Sequence, residues 1–208
     1  MLNNFSIAWN NLYKNHQSQY LTGSVTIVEE DDKAKNKSLT VNVTEAVSFP
    51  SKDFNSYDMF SAFTDRNCDG VLLVLNSDGT YDMLFIEMKS RFSTTEVFKA
   101  KGQIVETFAK IQSLLRMMKE YASLPIKRVY GVIETKALDE DQENWWSKQQ
   151  YLPDEELQFG ELLLKYIAID APTCCKEELN MPSTMKFTII FSEDDNYVVN
   201  YTDISVHL

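Results

Sequence analysis

Hydrophobic and polar positions along the chain fall into helical and strand rhythms. Phe5, Ala8, Trp9, Leu12 and Tyr13 recur at helical spacing within Asn3 to Tyr20, which predicts an amphipathic N-terminal helix. Thr22 to Val28 and Leu39 to Val43 alternate like strands around the charged stretch Glu29 to Lys37, predicting a hairpin, although Ser38 to Val47 also fits a helix. Phe54, Tyr57, Phe60 and Phe63 lie near helical spacing and suit core packing. Two apolar runs, Val71 to Leu75 and Met83 to Ile86, flank Asn76-Ser77-Asp78-Gly79, the signature of a β-hairpin with buried strands. After capping residues in Ser90 to Thr95, a stripe of Val97, Ala100, Ile104, Phe108, Ile111, Leu115 and Met118 predicts a helix from about Glu96 to Tyr121, ended before Pro125. Val129 to Ile133 reads as a further buried strand, and Glu155 to Ile169 is apolar enough to pack on the core. Met185 to Phe191 and Tyr197 to Thr202 read as a last hairpin around the acidic turn Ser192 to Asn196.

These elements predict one domain, residues 1–208, of the α/β (α+β) class: a mixed central β-sheet flanked by helices, with extra N-terminal and C-terminal hairpins. Its core spans about residues 55–135, with a C-terminal elaboration over about 138–208. A length of 208 residues suits a sizeable single core.

The central hairpin carries charge where a buried strand favours Val or Ile. Asp69 opens its first strand; Glu87 and Lys89 close its second. Loop length decides what these residues share. A three-residue loop Ser77-Asp78-Gly79, with Gly79 left-handed, pairs Asn76 with Thr80 and therefore Asp69 with Glu87, which then share a face with Lys89. A two-residue Asp78-Gly79 turn would pair Gly70 with Glu87 and put the carboxylates on opposite faces. In the first register two carboxylates and an ammonium converge at a strand end. That set suits a hard divalent cation such as Mg2+ or Mn2+, which takes oxygen ligands and keeps several waters, with the lysine able to orient a water or stabilise charge on a phosphoryl oxygen.

Asp69 followed by Glu87-Met88-Lys89 resembles the PD-(D/E)XK signature of restriction-endonuclease-like nucleases. Phe85-Ile-Glu-Met-Lys-Ser-Arg91 is similar to the metal-site strand of archaeal Holliday-junction resolvases and Mrr-type restriction enzymes, and the likeness covers roughly residues 60 to 135. The resemblance implies a restriction-endonuclease-like core of helix, three-stranded antiparallel meander, helix and strand. It also implies hydrolysis of phosphodiester bonds, of DNA, in a defence, restriction or repair setting, with Asp69, Glu87 and Lys89 catalytic and Asp69 and Glu87 holding the metal. Some relatives place a glutamine on the following helix near the metal, which makes Gln103 a supporting candidate; in others a glutamate from an N-terminal helix assists. Residues 1–28 hold no Asp or Glu, so Glu45 is the nearest later candidate: if helical it could project toward the metal, and if in a strand it is a solvated charge. The pattern departs at Cys68, where the signature has proline.

Charge and composition adjust this picture. The net charge of −11 disfavours nucleic acid on average, yet Lys89, Arg91, Lys99, Lys101, Lys110, Arg116, Lys119, Lys127, Arg128 and Lys136 cluster within residues 86–136. Ser90, Arg91, Lys99 and Lys101 are accordingly candidate phosphate contacts, the alternative being a solvated helix face. With His16 and His207 the only histidines, Ser-His and Cys-His mechanisms are disfavoured, and Cys174-Cys175 has the wrong spacing for structural zinc. An odd cysteine count reads as reduced thiols. No run approaches the roughly 18 apolar residues of a bilayer span, and the Asn- and Gln-rich N-terminus lacks a signal-peptide pattern, so a cytoplasmic protein with no membrane partner is expected. DNA is the expected partner, with a homodimer mate or partner subunit supplying any base contacts. The competing reading is a catalytically inactive acidic binding or immunity-type protein on the same fold. Trp145-Trp146 fits packing or base stacking.

Overall fold

The computed structural model describes residues 1–31, 33–51, 66–136, 155–158, 182, 184–192 and 194–206. The expected aromatic helix around 54–63, the segments 138–150 and 159–169, Trp145, Trp146, Cys174 and Cys175 lie outside them. The molecule is α+β. Helix α1 (Leu2–Leu12) leads into strands β1 (Gln19–Val28), β2 (Ser38–Phe49), β3 (Gly70–Leu75) and β4 (Tyr81–Lys89). Helix α2 (Thr94–Leu115) is followed by β5 (Ile126–Lys136), β6 (Glu155–Gln158), β7 (Thr184–Ser192), β8 (Asn196–Asn200) and α3 (Tyr201–Val206). The strands form one mixed sheet in the order β1-β2-β3-β4-β5-β7-β6, with β8 joining β2. Neighbours from β1 to β4 run antiparallel, and β4, β5 and β7 run parallel.

Strands β3 and β4 are buried on both faces, which accounts for their near-continuous apolar sequence. Val71, Leu73, Met83 and Phe85 face α1 and α2, and Phe85 meets Phe108 of α2 edge-on at 5.5 Å between ring centroids. The predicted α2 stripe is buried throughout. Ser93 caps the helix by accepting the Glu96 N–H. Trp9 of α1 packs on Phe49 at 4.8 Å, and the Tyr13 hydroxyl donates to the Leu114 carbonyl at 2.6 Å, satisfying an orphan at the C-terminal end of α2. Helix α1 is shorter than its apolar pattern predicts because its polar residues cap a turn. The Asn10 amide bonds both the N–H and the C=O of Ser18, and the Trp9 indole donates to His16 O at 2.6 Å.

On the other face, Leu72, Val74, Leu84 and Ile86 pack with Ile27, Leu39, Val41 and Tyr201. Strand β2 divides its pairing. Ala46–Phe49 pair with β3, whereas Ser38–Asn42 pair with β8, so the N-terminal hairpin curls over this face. Gly70 is where it lands: a Cβ there would lie 2.6 Å from Ile27 Cδ1. Gly131 in β5 is similarly confined, its Cβ position lying 2.5 Å from the Phe187 ring. Gly131→Ala is therefore expected to destabilise the protein by about 1–3 kcal/mol in a urea titration, without changing its fold.

The predicted C-terminal hairpin is not formed. Both strands exist, but β7 lies between β5 and β6 while β8 pairs in parallel with β2. The acidic turn between them is fastened elsewhere, its Asp195 carbonyl accepting the Lys37 N–H at 2.7 Å and its carboxylate pairing with Lys136 at 2.6 Å. Among the described residues, no helix is long and apolar enough to cross a membrane.

Candidate active site

The loop between β3 and β4 sets the geometry of the site. Asn76 donates its N–H to Thr80 O at 2.8 Å, Gly79 closes the turn onto Asn76 O at 3.1 Å, and Gly79 has φ +81°. This is the three-residue loop with a left-handed glycine. The ladder runs from Leu75↔Tyr81 to Gly70↔Ile86, so the next position sets Asp69 opposite Glu87. Opposed residues in such a pair have Cβ atoms about 4.5–5.5 Å apart and project to one face. That face carries α1 and α2, and the site sits where β4 and β5 reach their carboxyl ends.

Each side chain is held. Beyond the last ladder pair, Asp69 Oδ2 accepts the Met88 N–H at 2.7 Å, and Ser51 Oγ donates to Asp69 O at 2.9 Å. Lys89 Nζ donates to Glu87 Oε1 and, at 2.8 Å, to Gln103 Oε1 from α2. The other end of the Gln103 amide donates to Asn67 O at 3.1 Å, which ties the chain entering β3 to the helix. One turn further along α2, Thr107 Oγ1 accepts the Cys68 N–H at 2.8 Å, and Lys110 Nζ donates to Asn67 Oδ1 at 2.9 Å. Cys68 is fully buried, and burial pushes its thiol pKa up, so it is no nucleophile. A proline at this position would have no N–H to give Thr107.

Glu87 is 2% exposed, and its Oε2 has no hydrogen-bond partner among the described residues. Burial, with the Asp69 charge beside it, pushes its pKa up to about 8; Lys89 opposes the shift and the more distant Glu29 adds to it. An unpartnered, buried carboxylate oxygen next to a second carboxylate is what a hard cation relieves. Among the described residues, no group of three or more His, Cys, Asp or Glu gathers anywhere. Protein ligation of such a cation here would thus rest on Asp69 and Glu87, with oxygens from outside the protein as its further ligands.

The structure brings Asp69, Glu87, Lys89 and Gln103 together and separates Glu45 from them. Glu45 lies in a strand, not a helix, opposite Thr22 and near the far end of β3, about 20 Å along the sheet from Asp69, and Tyr20 Oη donates to its Oε2 at 2.9 Å.

The expected phosphate contacts also divide. Arg91 is exposed, while Ser90 is partly buried, its Oγ accepting the Lys35 N–H at 2.8 Å. Lys99 is exposed but paired with Glu96 at 3.0 Å. Lys101 is a correction. It is 2% exposed, with Nζ 5.1 Å from the Phe187 ring centroid, and cannot present its ammonium at the surface. Lys110 is buried too, and Lys127, Arg128 and Lys136 are paired with Asp78, Asp82 and Asp195. Within the basic segment, then, Lys101 and Lys110 are buried and Lys99, Lys127, Arg128 and Lys136 are ion-paired, while Arg91, Arg116 and Lys119 are exposed.

Sequence reasoning missed Asn67, Ser51 and Asn36, whose roles depend on contacts between distant segments. Asn67 had a faint signal, lying two residues before Asp69. Comparison with protein-family models, curated proteins and solved structures finds no match to this chain.

Proposed function

We propose that the protein is a metal-dependent nuclease that hydrolyses phosphodiester bonds of DNA, with Asp69 and Glu87 holding Mg2+ or Mn2+ and Lys89 as the catalytic cation. The observation that carries this reading is the buried Glu87 Oε2, without a hydrogen-bond partner among the described residues, on the face shared with Asp69 and Lys89. The run of β2, β3 and β4, then α2 and the parallel β5, supports a restriction-endonuclease-like core. A cation bound here supplies Lewis-acid polarisation of a phosphoryl oxygen and lowers the pKa of a coordinated water. The chain supplies the rest. Lys89 Nζ lies between Glu87 Oε1 and Gln103 Oε1, from where the ammonium can turn to a phosphate oxygen and stabilise developing negative charge. Gln103 holds the ammonium in position while fixing the approach to Asp69 through Asn67. Backbone phosphate contacts carry no sequence information, so sequence selectivity would come from a second copy or a partner subunit.

A second reading is favoured by the net charge of −11 and by the pairing of Lys99 and burial of Lys101: an inactive acidic protein that occupies a basic partner. Incubation with linear, branched and single-stranded DNA, with Mg2+, Mn2+ or EDTA across a salt series, separates the two. The nuclease reading expects cleavage of at least one form that EDTA abolishes and salt weakens. No cleavage of any form, with a stoichiometric basic protein co-purifying, would replace it with the second.

A further inference from the structure

The turn joining β1 to β2 reaches the back of the proposed site. Asn36, in this turn, is 2% exposed and lies 53 residues from Lys89 and 98 from Glu134 along the chain, yet its amide nitrogen donates to both. One hydrogen goes to the Lys89 carbonyl at 3.1 Å and the other to Glu134 Oε2. Glu134 is 1% exposed and is itself fixed by the Ser192 hydroxyl, which donates to its other oxygen. Next to Asn36, the Lys35 N–H donates to Ser90 Oγ.

Lys89 is the last residue of β4. A strand's terminal residue frays readily, and rotation of its backbone would swing its side chain off the face that carries Glu87. We infer that Asn36 is a positioning residue for Lys89: by fastening the Lys89 carbonyl to the buried Glu134 carboxylate of β5, it holds the ammonium against Glu87 and Gln103. Its catalytic consequence rests on the nuclease reading; its geometric consequence does not.

The test uses the full chain without metal. Wild type, Asn36→Ala and the near-isosteric Asn36→Leu, which keeps the volume but has no donor, are treated briefly with an amine-acylating reagent well below their melting temperatures. Acylation is read lysine by lysine by mass spectrometry. Lys89 is expected to label about threefold faster or more in both variants, as local opening exposes it, while Lys99 and Lys127 label as in wild type. A merely structural Asn36 would lower the melting temperature and leave the Lys89 rate unchanged in both variants, which overturns the inference. If wild type cleaves DNA, Asn36→Ala is expected to lower kcat by about ten- to a hundredfold, and to add nothing in a Lys89→Ala background. An equal loss in both backgrounds contradicts the inference. Faster Lys89 labelling with no cleavage by any variant instead overturns the nuclease reading and leaves the positioning role standing.

Discussion

Replacing Lys89 by alanine is expected to lower DNA cleavage by about a thousandfold, the scale of removing a group that stabilises transition-state charge or transfers a proton. The loss should fall on kcat. Lys89 is 16% exposed and directed at Glu87 and Gln103, so it contributes little to holding the DNA backbone. On the nuclease reading, binding in the variant should remain and should weaken with salt as in wild type, because the substitution leaves the other proposed phosphate contacts unchanged. Lys89→Arg should not restore the rate, since the larger planar guanidinium does not fit between the Glu87 and Gln103 oxygens as a compact ammonium does. Equal cleavage by wild type and Lys89→Ala would assign the activity to a contaminating nuclease and remove the support for the enzyme reading.

The second large effect concerns Glu87 and reads out without substrate. In the folded protein Glu87 keeps its proton up to a pH of about 8, against 4.5 for an ordinary glutamate. Between these values the folded state binds one more proton than the unfolded chain. The stability that this proton contributes is complete below the unfolded pKa and is lost as pH rises through the folded one. Metal-free wild type is therefore expected to lose up to about 4 kcal/mol from this group between pH 5 and pH 8. Glu87→Gln should lack that slope and be more stable than wild type at pH 8, since its neutral amide still offers an oxygen to Lys89. Mn2+ at about a hundred times its Kd should return about 2.7 kcal/mol to wild type at pH 8 and nothing to Glu87→Gln. Thermal melts at two pH values with and without Mn2+ measure all four quantities. Identical pH slopes would contradict the burial-raised pKa of Glu87, and an equal response to Mn2+ would contradict its assignment as a ligand.

How much of this was legible in the sequence follows from which interactions are local. The Asn76 to Thr80 loop fits within a few residues, so the sequence named the hairpin but left two loop lengths open; the left-handed Gly79 of the structure selects the register that carries Asp69 and Glu87 to one face. The α2 stripe likewise names its buried side and puts Gln103 beside it. Pairing between distant segments left no such trace. Strand periodicity identified β7 and β8, but their partners, β5 and β2, are chosen by how the sheet closes around them. Lys101 read as a candidate phosphate contact, and Lys110 as part of the same basic segment, because nothing in their own segment reveals that Phe187 and Asn67 cover them. Asn36 was one residue in a charged turn until the curl of the N-terminal hairpin brought it behind Lys89. The candidate site was readable where charge interrupted an apolar pattern; the residues that hold it in place were not, since they interrupt nothing.

The most direct measurement is anomalous diffraction from crystals soaked in Mn2+. The account predicts a single strong peak within ligation distance, about 2.0–2.3 Å, of one oxygen of Asp69 and of Glu87 Oε2, and its disappearance in Glu87→Gln. Ordered Asp69 and Glu87 side chains with no peak between them, or with manganese bound only elsewhere, would contradict it.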